Sequence, residues 1–329
     1  MRAIVVVSPG GPEQLRVEER PDPVAREGEV VVRVAGAGIN RADLLQRQGF
    51  YPPPPGASDI LGLEASGVVA SVGSGVSAPS IGDRVLLLVE GGAYAELVAV
   101  RAAQAVPVPD NIDLIDAGGI PEVFITAHDA LFTRGRLQDG ETILIHGGGG
   151  GVGTAAIQLA RQHDCRILVT AGSEEKIARC IALGADAGIN YRTEDFVPRT
   201  RELTEGRGAD LVLDIMGASY LGKNMDAVAT DGRIVVIGMQ GGNQTEIDLG
   251  LMMRRRISLI STALRARPAA QKAVIVAAFV AAVLPGLADE RLRPVIDRLL
   301  PLEQAGEAHR LMESGEVVGK IVLDASPHA

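Results

Sequence analysis

The chain has 329 residues, of which 47% are hydrophobic and 22% charged, with a net charge of −9. That length exceeds one ordinary hydrophobic core and predicts two domains, and the composition excludes wholesale disorder. An acidic chain with five Phe, four Tyr and no Trp excludes nucleic acid as a main partner, and Arg254-Arg255-Arg256 reads as a solvated strand entry.

Residues 3–7 form an apolar, strand-like run, too short for the apolar region of a signal peptide. Further short Val-rich strands are predicted at 29–35, 66–72, 84–89 and 95–100, separated by Gly, Pro, Asp or Ser. Pro52 to Pro55 must be extended, because four successive prolines enter neither a helix nor a central strand. This spacing predicts a sandwich or partly open barrel. From Ile120 the pattern changes to alternation. A helix at 124–132 is followed by a strand at 142–146, a helix at 154–162, a strand at 166–170 and a helix at 174–183 with Ser173 as N-cap. Strands at 209–214, 233–238 and 258–263 complete the series. Strands alternating with helices imply right-handed crossovers and a doubly wound parallel sheet, so the fold class is α/β.

The most apolar stretch, 274–284, is bounded by Lys272 and Pro285 and is far below the ~20 residues of a membrane span. It reads as a buried helix or a subunit interface, and no membrane partner is expected. The tail adds a strand at 295–300, a helix at 302–312 and a strand at 320–323. Two cysteines, Cys165 and Cys180, build neither a disulfide framework nor a four-thiolate zinc site, and they fit a reducing, cytoplasmic setting.

The strand at 142–146 runs into Gly147-Gly148-Gly149-Gly150-Gly151-Val152-Gly153, and Thr154 opens a helix. As G-x-G-x-x-G the pattern falls on Gly148, Gly150 and Gly153, with Gly151 and Val152 between them. The glycines serve a tight turn, close approach to a pyrophosphate and helix-against-strand packing, while free N–H groups and the helix dipole favour the phosphate charge. No Gly-Lys-Ser/Thr follows, so a Walker loop is excluded. A dinucleotide is expected. The next strand ends Thr170-Ala171-Gly172-Ser173 without the acid that would hold an NAD ribose. Ser173 and Lys176 suit the 2′-phosphate of NADP, with Tyr191 closing the pocket. The same two residues also read as an ordinary N-cap and a solvated lysine.

These motifs, with Asn40-Arg41-Ala42-Asp43-Leu44, Gln46-Arg47-Gln48-Gly49, Tyr51 and Ile60-Leu61-Gly62-Leu63-Glu64, resemble the zinc-free quinone oxidoreductases of the medium-chain dehydrogenase/reductase superfamily. Within them the chain is most similar to the NADPH-dependent branch that a tumour suppressor induces in animals. The resemblance implies a GroES-like β-rich catalytic domain at 1–121, a Rossmann NADP-binding domain at 122–285 and a return to the catalytic domain at 286–329. It implies a homodimer or homotetramer. It further implies that Asn40 and Tyr51 line the substrate pocket and that Thr126 lies near the nicotinamide. Gly172, Ser173, Lys176 and Tyr191 would hold the adenosine 2′-phosphate side, and Met216, Gly217, Gly238, Met239 and Lys320 would approach the cofactor.

Two departures stand out. Such relatives carry a small hydroxyl residue where Gly150 sits. In the zinc-dependent branch a Gly-His-Glu supplies a ligand, whereas this chain reads Gly62-Leu63-Glu64. His128, His146, His163, His309 and His328 are scattered, so no catalytic metal is expected. Chemistry would then rest on a nicotinamide held against a quinone or conjugated carbonyl, with Asn40 and Tyr51 hydrogen-bonding the acceptor oxygen. For Tyr51 a ring packed on the prolines is an equal reading; Asn40 also reads as a turn residue, Asp43 as a helix N-cap and His146 as a buried histidine bonded to backbone. An NADPH-dependent enoyl or alkenal reductase is the enzymatic alternative, and a cofactor-binding redox sensor or structural protein is the alternative of another class.

Overall fold

The computed structural model describes residues 1–326. The chain divides into two compact units, Met1–Ile125 together with the chain from Leu264 onward, and Thr126–Ala263.

The first unit is built on a seven-stranded sheet. Its order is Ile296–Pro301, Lys320–Asp324, Glu29–Gly38, Glu64–Val72, Arg84–Leu88 and Ala105–Pro107, with Leu97–Arg101 also paired to Glu29–Gly38. Pairing is antiparallel except between the two C-terminal strands. The return of the tail follows from burial: Ile321 and Leu323 join Val30, Val32, Val34 and Leu87 in one core. Residues 274–284 fall in the helices Ala269–Ala282 and Leu284–Ala288, which bury Ile275, Val276 and Phe279. The division into compact units at Leu264 places both helices in the first unit. Lys272, which looked like a polar border, is 1% exposed and pairs with Glu90 of the same unit. That ion pair ties the helix to the first unit, and a hydropathy pattern cannot reveal it.

The second unit is a six-stranded, wholly parallel sheet in the order Ala187–Asn190, Arg166–Ala171, Thr142–His146, Ala209–Asp214, Val228–Val236, Ser258–Ser261. The chain moves outward from Thr142–His146 on one side and resumes beside it at Ala209–Asp214. The reversal leaves a crevice at the carboxyl ends of these two strands, the place where doubly wound sheets bind ligands. Leu144, Leu168 and Val212 are fully buried, as strands covered on both faces require. The helix after the glycines runs Gly151–Arg161, three residues earlier than the residue pattern indicates. The helix expected at 124–132 is a regular helix only over Pro121–His128, after which Asp129–Arg134 continues as a wider π-type turn.

Candidate functional site

In the second unit the turn after His146 is shaped by sterics. Gly147 has φ +69°, and its N-terminal neighbour ends the strand. A Cβ on Gly148 would lie 2.7 Å from Val169 Cβ, and one on Gly153 would lie 2.3 Å from the Gly147 carbonyl oxygen. Both positions must be glycine. At Gly150 the nearest atom would be 3.4 Å away, so this face is open. Gly150 is the N-cap of Gly151–Arg161 and provides no capping side chain. The first-turn N–H groups of Gly151, Val152 and Gly153 lack intrahelical acceptors by geometry and point out of the helix start, a donor set suited to a pyrophosphate.

The neighbouring strand end supplies the second half of the cradle. Ser173 Oγ accepts from Lys176 N at 3.3 Å and caps the helix Glu174–Ala182, which leaves its own O–H to donate. The Lys176 side chain runs past Gly149, and the Tyr191 hydroxyl and Arg192 Nε flank Gly172. Glu174 is engaged by Asn190 Nδ2 at 2.9 Å and is not presented to a ribose. Ser173, Lys176 and Tyr191 are thus brought together, and Arg192 joins them. Arg192 was overlooked in the residue pattern, although its place next to Tyr191 was a usable signal. On the other side of the crevice Asp214 Oδ1 accepts from Met216 N at 2.7 Å and Gly217 N at 3.2 Å. Gly217 has φ +71°, and a Cβ there would meet Gly242 O at 2.8 Å and Met239 Cα at 3.2 Å; one on Gly238 would meet Ile215 O at 2.8 Å. Met216, Gly217, Gly238 and Met239 therefore form two loops in direct contact, with Met239 exposed. Thr126 is half-buried on the helix Pro121–His128.

His146 is buried, but its partners are side chains rather than backbone: Nδ1 lies 3.1 Å from Thr170 Oγ1 and Nε2 2.8 Å from Asn224 Oδ1. Phe196 and Tyr220 meet the ring edge to face, and burial pushes its pKa down to about 4. It is a neutral core group.

The first unit holds a buried polar cluster. Asn40 caps the helix Arg41–Arg47, so the cap lies three residues before the expected one, and Asp43 sits at the helix's third position. Asp43 Oδ2 accepts from Asn40 N at 2.8 Å and from Tyr94 O–H at 3.1 Å, and its Oδ1 accepts from Gly62 N at 3.1 Å. Behind Tyr94, His309 Nε2 lies 3.3 Å from the phenol oxygen and Nδ1 3.2 Å from Arg47 Nη1. Arginine only donates, so Nδ1 is the acceptor and Nε2–H is offered to Tyr94. Arg47 continues to Glu313.

Lys320 lies in this cluster. Its ammonium donates to Ile39 O and to Asn40 Oδ1 at 2.8 Å, and pairs with Glu64 Oε1 at 2.7 Å. All three of its protons are used. Asn40 Nδ2 donates to the same Glu64 oxygen at 2.9 Å, and its second N–H has only Gly38 O at 3.4 Å. Glu64 Oε2 accepts from Glu122 N at 2.8 Å. Tyr51 is half-buried, with the Arg265 guanidinium 5.2 Å over its ring and Arg265 Nη1 donating to its carbonyl at 3.3 Å. Glu122 is a member of the cluster with no sequence signal of its own, since an acid in a first helical turn is commonplace.

Burial raises Asp43 from 3.8 to about 6, outweighing its hydrogen bonds and the Lys320 charge. The folded chain then keeps this proton to higher pH than the unfolded chain. Its stabilising contribution is complete below about pH 4 and is lost as pH rises through 6, roughly 3 kcal/mol in all. Asp43→Asn should abolish that slope. Urea titrations at a series of pH values would show the wild-type advantage over the variant shrinking between pH 4 and 7; a constant difference refutes the assignment.

A parallel sheet with a glycine turn at its switch point, joined to a GroES-like sheet, is the architecture of a dinucleotide-dependent dehydrogenase or reductase. Residues 26–110 match the family model "Alcohol dehydrogenase GroES-like domain", and residues 151–278 match "Zinc-binding dehydrogenase". The quinone oxidoreductase of Rattus norvegicus is 31% identical over 327 residues, covering 98% of this chain and 97% of the rat protein. Similar solved structures include an NAD-dependent alcohol dehydrogenase (33% identity, TM-score 0.86, 98% of this chain and 99% of that one). The Escherichia coli quinone oxidoreductase complexed with NADPH has 28% identity and a TM-score of 0.89, with 98% and 100% covered. The JamJ enoyl reductase has 27% identity and a TM-score of 0.88, with 98% of each chain covered. The chain belongs to the quinone oxidoreductase family of the medium-chain dehydrogenase/reductase superfamily.

The donor chemistry of this chain does not suit the zinc of the second model's description. Leu63 is buried beside Glu64, Glu64 is paired with Lys320, and no group of three or more His, Cys, Asp or Glu among the described residues could hold a metal ion. His328 lies outside the described residues. No helix among them is long and apolar enough to cross a membrane.

Proposed function

We propose that the protein is an NADPH-dependent, zinc-independent reductase that delivers a hydride to a quinone. The observation that carries the cofactor is the gathering of Ser173, Lys176, Tyr191 and Arg192 at one strand end while Glu174 is tied to Asn190. Two cations and two hydroxyls suit a phosphate dianion. Gly151, Val152 and Gly153 would hold the pyrophosphate by their N–H groups, and the loops at Met216–Gly217 and Gly238–Met239 would border the nicotinamide side, with Thr126. Bound NADPH supplies the hydride. On the acceptor side, the second N–H of Asn40, held only by the long 3.4 Å contact to Gly38 O, and the Tyr51 hydroxyl, which has no hydrogen bond among the described residues, are the donors for an acceptor oxygen. Lys320 holds Asn40 in place, which supports a role for it on the acceptor side. A conjugated enone takes hydride in the same way, and the likeness to the JamJ enoyl reductase favours it as the second reading.

The test is a spectrophotometric screen of quinones, enones and simple alcohols with NADPH and NADH, with and without a chelator. Quinone reduction by NADPH, unchanged by the chelator, is expected. Loss of activity on chelation overturns the zinc-free reading, turnover of enones alone selects the second reading, and tight binding without turnover returns the sensor role. Lys176→Ala and Arg192→Ala should each cut the preference for NADPH over NADH by about 10-fold or more, the size of one charge-assisted hydrogen bond. Equal affinities for the two cofactors in the wild type would sink the 2′-phosphate assignment. The assembly proposed is a homodimer or homotetramer in a reducing compartment, which sedimentation of the purified protein would test.

A further inference from the structure

The carboxyl groups of the first-unit cluster are not equivalent. Glu64 accepts from Asn40, Lys320 and Glu122 N. Asp43 accepts from Asn40 N, Gly62 N and Tyr94. Glu90 is paired with Lys272. Glu122 alone has no hydrogen bond or ion pair on its side chain among the described residues, and it keeps part of its surface open. Its backbone N–H donates to Glu64, whose other oxygen accepts from Asn40, so one carboxylate ties the helix start to Asn40.

Reduction by hydride leaves the acceptor one proton short. A hydride brings two electrons and one hydrogen nucleus, and the reduced acceptor carries a negative oxygen, phenolate-like from a quinone or enolate-like from an enone. Lys320 has no proton to spare without breaking the Glu64 pair, and burial raises the Tyr51 phenol above its ordinary value. We propose that Glu122 is the catalytic acid of the reaction: its carboxyl O–H breaks, the new O–H forms on the reduced acceptor, and the resulting Glu122 carboxylate is reprotonated from water. This rests on the hydride-transfer reading above.

The electrostatic surroundings support it. Burial and the negative Glu64 and Asp43 push Glu122 up to about 8, against the opposing pull of Lys320 and Lys272; Tyr51 and Arg265 complete the charged and titratable groups facing it. An acid of that strength carries its proton at neutral pH and gives it up readily to a phenolate or enolate, the condition for efficient general acid catalysis.

Infrared difference spectra of the full-length wild type, titrated from pH 6 to 10 without cofactor, should contain the carbonyl stretch of a protonated carboxyl that disappears near pH 8. E122Q should lack that band. With NADPH and a quinone, wild-type kcat should fall on a basic limb near pH 8. E122Q should bind NADPH as the wild type does, lose about 100-fold in kcat and lose the limb. A wild-type spectrum without a carboxyl titrating in that range overturns the proposal whatever the activity. So does an E122Q enzyme that keeps the limb or stays within twofold of wild-type kcat. Failure of the wild type to oxidise NADPH with any acceptor would instead overturn the hydride-transfer reading, and the spectroscopic titration would still judge Glu122.

Discussion

Lys320→Met should lower the unfolding free energy by about 3–5 kcal/mol, the usual cost of leaving a buried charge without its partner. Glu64 is wholly buried and Lys320 is 3% exposed, so neither charge can turn to water when the other is removed. The loss should exceed that of a surface pair by several-fold, since exposed pairs contribute at most about 1 kcal/mol. Asn40 Oδ1 and Ile39 O would lose their donor as well. Glu64→Leu alone should be comparably harmful, because it strands the ammonium and the N–H of Glu122. The double variant Lys320→Met with Glu64→Leu should be less unstable than the sum of the two, giving a favourable coupling of the pair in a double-mutant cycle. Urea denaturation of the four proteins measures it. A single-variant loss below about 1 kcal/mol would mean that water reaches this pair.

The glycine turn should divide into positions that tolerate a side chain and positions that do not. Gly153→Ala places a methyl 2.3 Å from Gly147 O and 2.7 Å from Gly148 O, both backbone atoms without freedom to move. The helix must shift away from the turn, at a cost of about 1–3 kcal/mol in stability. The same shift withdraws the first-turn N–H groups from the phosphate, so NADPH affinity should fall at least 100-fold, roughly the value of two good hydrogen bonds. Gly150→Ala meets nothing nearer than 3.4 Å and has φ −81°. It should fold as the wild type does, and any change in NADPH affinity should stay within about 10-fold, one lost hydrogen bond. Paired calorimetric titrations with NADPH and thermal unfolding of both variants decide the matter. Equal behaviour of the two would show that the turn's glycines serve flexibility and not close packing.

These positions also show how far residue patterns carry. Gly148 and Gly153 could be picked out because their requirement is local: strand, turn and helix are adjacent in the chain, and the packing that excludes a Cβ lies within a few residues or in the neighbouring strand. Gly150 was included by the same pattern, yet the fold gives it open space. Ser173, Lys176 and Tyr191 were legible as a group because each follows the carboxyl end of a strand, and Arg192 could have been added by the same logic. Tyr51 reads equally as packed on the prolines or as a site residue, and the guanidinium of Arg265, 214 positions along the chain, is a partner that no local pattern shows.

The α/β class and the parallel sheet follow from the alternation of helix and strand periods, the β-rich first part follows from short Val-rich runs, and a phosphate-bearing cofactor follows from glycines between a strand and a helix. All of these are properties of neighbouring residues, which a linear chain displays directly. The acceptor side is different. Lys320 meets Asn40 across 280 positions, Lys272 meets Glu90 across 182, and Arg47 meets His309 across 262. Folding brings them into one desolvated cluster, and desolvation then raises Asp43 and Glu122 and lowers His309. Burial and charge partnership are collective quantities, assembled only when distant strands pair, and for that reason the chain's order of residues carries the glycine turn openly and the buried charge cluster of the first unit not at all.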